Sequence, residues 1–155
     1  MNNYNNPTIA NMGMSGGHER RQSLRIMKIQ ESLELNIPVQ VLSAFEDLDS
    51  LDFNSFAIFE LDTLGALSNI ICFIFDKEGL FNEMDIPIAE TSALMGRIQS
   101  SYLDNPYHNA IHAFDVTQVM HYFLKTCEFS SVGSLDPLEK IAMYLGAAIH
   151  DMEHP

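Results

Sequence analysis

The run from Asp136 to Asp151 constrains the fold more than any other stretch of this 155-residue chain. It opens Asp136-Pro137-Leu138-Glu139: a capping Asp, a Pro in the first turn, and a Glu three residues after the cap, which is a strong helix start. It continues as Ile141-Ala142-Met143-Tyr144-Leu145-Gly146-Ala147-Ala148-Ile149, apolar nearly all round, so the helix is expected to be buried. Gly146, Ala147 and Ala148 would let a neighbouring helix approach closely. The helix delivers His150 and Asp151 at its C-terminal end. Burying that pair without a metal ion or polar partners would be costly.

The remaining pattern is helical too. Leu64, Leu67, Ile71, Ile74 and Phe75 follow helical spacing, and Gly79 stands where a C-terminal glycine cap belongs. A further helix is expected from near Pro87 to Tyr102, with Asp85 as its cap and Leu94, Met95, Ile98 and Tyr102 as its buried stripe. Another should run from Pro106 to about Cys127. Nothing alternates as a strand would, so the fold class is all-α, a helical bundle. Residues 1–22 are rich in Asn, Gly, Ser and Met without periodicity and read as a disordered tail, with His18 solvated in it. Residues 23–50 form a helical lead-in, patterned by Leu24, Ile26, Met27 and Leu33, whose membership of the main unit is left open. Leu51–Phe56 is a short aromatic connector, and residues 51–155 make up the main domain.

Charge narrows the partners. With 21 acidic against 8 basic residues the net charge is −13, which disfavours nucleic-acid polymers and anionic membranes. A small anionic substrate would also be repelled unless bound cations reversed the local field. Cys72 and Cys127 lie inside apolar stretches and read as buried free thiols of a reducing compartment. The longest apolar run, Ile70–Phe75, is too short for a transmembrane segment. The expected setting is cytoplasmic.

Histidines carry the chemistry. His108 and His112 are four apart and would share one face of a helix. Asp115 lies close to the same face, where a carboxylate could hold the second ring nitrogen of a ligating imidazole. His150-Asp151-x-x-His154 adds a His-Asp pair and a further histidine, the donors of a mixed nitrogen/oxygen metal site. His121 points elsewhere and reads as an ordinary, partly buried histidine. A zinc-protease motif would need Glu after its first His, but Asn109 and Asp151 stand there, which excludes that chemistry.

Tyr107-His108-Asn109-x-x-His112-Ala113-x-Asp115-Val116, followed by His150-Asp151-x-x-His154-Pro155, resembles the signature of class I cyclic-nucleotide phosphodiesterases, within the metal-dependent His-Asp phosphohydrolases. The resemblance extends from about Leu51 to Pro155. It implies hydrolysis of the 3′ phosphoester of a 3′,5′-cyclic nucleotide (cAMP or cGMP) to the 5′ monophosphate. It implies His108 as general acid, His112 and His150 as zinc ligands, and Asp151 as a ligand reaching both zinc and a second ion, magnesium or manganese. His154 and Tyr107 would line the substrate and second-metal side, with Asn109 and Asp115 in support. The family also uses an Asp, a purine-binding Gln and an aromatic residue farther downstream. The chain is therefore expected to be an incomplete, inactive N-terminal portion of a catalytic domain, with a homodimer left open. Two alternatives remain: another His-Asp phosphohydrolase, and a noncatalytic helical metal-binding fragment.

Overall fold

The computed structural model describes residues 15–33, 35–126 and 135–155, and among these every regular element is helical. In chain order they are α1 (Ser15–Leu33), α2 (Val39–Ala44) followed by a 3₁₀ turn at Phe45–Asp47, α3 (Ser55–Leu61), α4 (Ala66–Lys77), α5 (Leu80–Glu83), α6 (Ile88–Ser100), α7 (Ala110–Thr126) and α8 (Pro137–Ile149). The all-α class read from the sequence holds. No single described helix is long and apolar enough to cross a membrane.

The bundle is built around α4, in which every residue from Ala66 to Phe75 is buried. It packs against α6 and α7, and α7 in turn packs against α8 and α3. The rings of Phe45, Phe53, Phe59, Phe73 and Phe114 meet in tilted and edge-on pairs at 5.2–6.4 Å, the geometry aromatic quadrupoles favour. This cluster anchors the N-terminal half of α7. Gly65 precedes α4 and offers no capping side chain, so Gln99 of α6 supplies the cap across the interface. Its Oε1 accepts from the Leu67 N–H at 2.8 Å and its Nε2 donates to the Thr63 carbonyl.

Several local signals act as the sequence indicates. Asp136 and Glu139 form a reciprocal capping box, each side chain accepting from the other's backbone N–H at 2.8 Å. Gly79 takes the left-handed conformation just past α4, with φ of 74°. Cys72 is buried, and burial pushes its thiol up to about 12, leaving it inert. The expectations for residues 1–14, the His18 side chain and Cys127 concern positions outside the described residues.

Other expectations are corrected. The helix α1 begins at Ser15, inside the segment assigned to a tail: good helix formers such as Arg20, Arg21 and Leu24 sustain a helix there. Asp85 is not the cap of α6. It sits in a left-handed turn (φ 51°), and Pro87 occupies the cap position without a side-chain bond. The buried residues of that helix are Thr91, Met95 and Gln99, whereas Leu94 is exposed. The helix α8 is not buried all round: Ile141, Tyr144, Ala147 and Ala148 face the core, while Leu138 and Ile149 are exposed and the space beside Gly146 is open.

The lead-in contributes to the same core. Ile37, Val41, Leu42, Phe45 and Leu48 are buried in one cluster with Phe73 and Phe114. Gln118 of α7 donates to the carbonyls of Leu48 and Ser50, both at 2.8 Å. Asp49 accepts from Lys77 at 2.9 Å and pairs with His121 at 2.8 Å.

Candidate metal centre

The centre forms where the start of α7 meets the end of α8. At α7, Asn109 accepts the His112 backbone N–H on its Oδ1 at 3.1 Å, the bond of an N-cap to the third helical residue. That places His112 in the first turn, facing α8. At α8 the helix stops at Ile149, and His150 folds back so that its Nδ1 donates to the Ala147 carbonyl at 2.8 Å. A carbonyl can only accept, so Nδ1 carries the proton and, in neutral imidazole, Nε2 presents a lone pair to the site.

Three donor atoms converge there. His150 Nε2 lies 3.2 Å from His112 Nε2 and 3.1 Å from Asp151 Oδ2, and His112 Nε2 lies 3.4 Å from Asp151 Oδ2. Metal–ligand bonds of roughly 2.0–2.1 Å at a tetrahedral ion require ligand separations of roughly 3.3 Å, so this triangle has the size of one face of a zinc site. Lone pairs aimed at one point repel unless a proton or a cation lies among them. The donor set therefore fits a divalent ion with nitrogen and oxygen preference.

Asp151 is shared with a second group of donors, His108 and His154. Its Oδ2 accepts from His108 Nδ1 at 2.7 Å. That hydrogen bond, followed by the charges of His150, His108 and His112, outweighs burial and holds the Asp151 carboxyl below its usual value. The His154 ring stacks on His108 at 4.0 Å with 19° between planes. Glu153 adopts a left-handed φ of 60°, rare outside glycine, and turns the chain back so that this stacking is possible.

Residues 107–155 match the sequence profile of the 3′5′-cyclic nucleotide phosphodiesterase family. They belong to a class I cyclic-nucleotide phosphodiesterase catalytic domain. Similar proteins extend the likeness upstream. A probable 3′,5′-cyclic phosphodiesterase of Caenorhabditis elegans is 28% identical over 132 residues, covering 84% of this chain and 20% of that protein. The dual specificity calcium/calmodulin-dependent 3′,5′-cyclic nucleotide phosphodiesterase 1C of Mus musculus is 34% identical over 122 residues, 77% of this chain and 17% of its own length. The human 1B enzyme is 34% identical over 116 residues, 74% and 21% respectively. The chain spans about a fifth of the length of these curated relatives.

Within this phosphodiesterase segment the structure brings together His108, His112, His150, Asp151 and His154, but not by the route the spacing suggests. His108 precedes α7, because Asn109 caps the helix instead of continuing it. The His108 and His112 rings are 6.2 Å apart and nearly perpendicular, not stacked along one helix face. Tyr107 is exposed at the rim, its ring 4.4 Å from that of His112. Asp115 makes no hydrogen bond to a site histidine among the described residues. It faces a cleft of about 280 Å³ shared with Phe56, Pro106, Tyr107, Asn109, Ile111 and His112. The orienting bonds come instead from Asn109 and the Ala147 carbonyl.

His121 stands apart and is wholly buried, deeper than its sequence context suggests. It bonds the Tyr144 hydroxyl at 2.9 Å and Asp49 at 2.8 Å, and burial pushes its imidazole below the usual value. Tyr102 and Asn105 also reach the centre, by hydrogen bonds to the backbone at Ala148 and His154. Tyr102 reads as core in the sequence, and its hydroxyl carries no local signal.

Proposed function

We propose that this chain contributes to an enzyme that hydrolyses the 3′ phosphoester of a 3′,5′-cyclic nucleotide, releasing the 5′ monophosphate. The observation that carries the reading is the 3.1–3.4 Å triangle of His112, His150 and Asp151, with His108 held beside it, inside the segment that matches the family. In this reading His112, His150 and Asp151 would hold zinc. Asp151 would also serve a second ion, magnesium or manganese, with His154 and Tyr107 on that side of the site. When bound, such cations activate water and neutralise charge on the phosphodiester, which offsets the repulsion expected from a chain of net charge −13.

The chain's own residues supply the proton. The Asp151 carboxylate accepts only, so it holds the His108 Nδ1–H and fixes the ring. The His108 Nε2 takes no hydrogen bond among the described residues, and its side chain is 37% exposed. It can therefore reach a departing oxygen. As water forms the new P–O bond and the P–O3′ bond breaks, protonated His108 delivers its Nε2 proton to O3′, while the attacking water loses a proton to solvent, from which His108 is reprotonated.

The test measures 5′-monophosphate formation from cAMP and cGMP by the protein that carries this chain. His108→Ala should lower turnover by about 10²–10⁴-fold, the usual contribution of a general acid. Asp151→Ala should abolish it. Wild-type rates in either variant refute the assignment.

A further inference from the structure

The turn that carries the metal motif is poorly supported by packing. His150, Met152, Glu153 and His154 are exposed, so the turn cannot be held by apolar burial. Its position depends on hydrogen bonds, some internal to the turn and others reaching it from the connector between α6 and α7. The last carbonyls of a helix lack intrahelical partners. At α8 the Ala147 carbonyl takes His150 Nδ1, the Ile149 carbonyl takes the Met152 N–H at 3.0 Å, and the Ala148 carbonyl takes the Tyr102 hydroxyl at 2.9 Å. The Tyr102 hydroxyl thus ties down the backbone just before the His150-Asp151 pair.

A second tie lies beyond the pair. Asn105 Nδ2 donates to the His154 carbonyl at 2.8 Å. The Asn105 carbonyl in turn accepts from Asn109 Nδ2 at 2.9 Å, and Asn109 Oδ1 accepts from the His112 N–H. An unbroken series of hydrogen bonds therefore runs from the backbone of His154, through two asparagines, to the backbone of His112. The histidine from α7 and the motif turn after α8 are set by one connector.

We infer that Tyr102 and Asn105 are positioning residues for the metal centre, clamping the His150–His154 turn by its backbone so that its donors meet His108 and His112. They act through main-chain atoms and touch neither ion nor substrate. The inference rests on the metal reading above.

Zinc affinity, measured by competition with a chromophoric chelator in the protein that carries this chain, tests it without reference to turnover. Tyr102→Phe removes one hydroxyl and keeps the ring in its packing, while Asn105→Ala removes the second tie. Loss of supporting hydrogen bonds typically weakens metal binding about 10–100-fold, and a shift of at least about tenfold is expected for each variant. Gln118→Ala, which breaks two hydrogen bonds to the Leu48 and Ser50 carbonyls away from the metal motif, is the control for general destabilisation and should leave zinc affinity at the wild-type value. If Asn105→Ala fails to fold, Tyr102→Phe decides alone. Zinc affinities in Tyr102→Phe equal to wild type, or a loss matched by Gln118→Ala, overturn the positioning role while leaving the metal reading intact. Absence of zinc binding in the wild-type protein overturns both.

Discussion

Gln118 offers a quantitative test of whether residues 35–50 and the motif-bearing helices unfold as one unit. The side chain is 2% exposed and its Nε2 donates to two carbonyls, those of Leu48 and Ser50, each at 2.8 Å. Gln118→Leu keeps most of the volume and removes both donors. The Ser50 carbonyl retains the Phe53 N–H at 3.4 Å, whereas the Leu48 carbonyl keeps no other partner among the described residues. A buried acceptor left bare costs about 1–3 kcal/mol, so with the apolar gain of leucine as a partial offset the net loss should be about 2 kcal/mol. For a folding unit of this size that corresponds to a drop of about 4–8 °C in the thermal midpoint. Urea unfolding followed by helical circular dichroism should show a lower midpoint at unchanged slope, the signature of lost stability within one cooperative transition. Two separated transitions, or a loss below about 0.5 kcal/mol of the kind seen at indifferent surface sites, would refute the reasoning and make the lead-in an appendage.

Acid stability and metal dependence are also predictable. His121 has its pKa lowered, first by burial, so above its unfolded value near 6.5 it costs nothing. As pH falls through 6.5 the unfolded chain takes up a proton that the folded state resists, and stability declines. Burial would raise the carboxyls of Glu78 and Asp49, but Lys125 and Lys140 beside the first, and Lys77 and His121 beside the second, hold both below their usual values. Their contribution is therefore present above 4.5 and 3.8 and is lost as pH falls further. Denaturation midpoints measured from pH 8 down to 4 should fall steadily below 6.5, and a rise between 7 and 5 would contradict the assignment. Zinc at 100-fold over its dissociation constant should stabilise the protein by about 2.7 kcal/mol, reversed by chelation. Asp151→Asn should abolish that thermal shift, and an undiminished shift would remove Asp151 from the ligand set.

The features legible in the sequence are those settled within a few residues. The Asp136–Glu139 capping box and the left-handed Gly79 depend on bonds and backbone conformations internal to one turn, so residue type alone decides them. The sequence also named His112, His150, Asp151 and His154 as candidate donors, and the structure brings their side chains into two groups that could hold a cation. How those donors meet was not readable. That Asn109 stops the helix and leaves His108 in the preceding loop depends on competition between continuing a helix and capping it, which packing against α8 resolves.

The exposed half of α8 and the outward Leu94 show the same limit, since an apolar residue records what can be buried and not which neighbour arrives. Tyr102 and Asn105 bond the backbone of residues far along the chain, at Ala148 and His154, and no local pattern marks a hydroxyl or amide for such a partner. By itself the sequence determined the helical class and the chemical inventory of the centre. Only the tertiary structure decided its geometry, because bringing donors from separate helices to within 3.4 Å is the work of packing around α4 and of hydrogen bonds that span the chain.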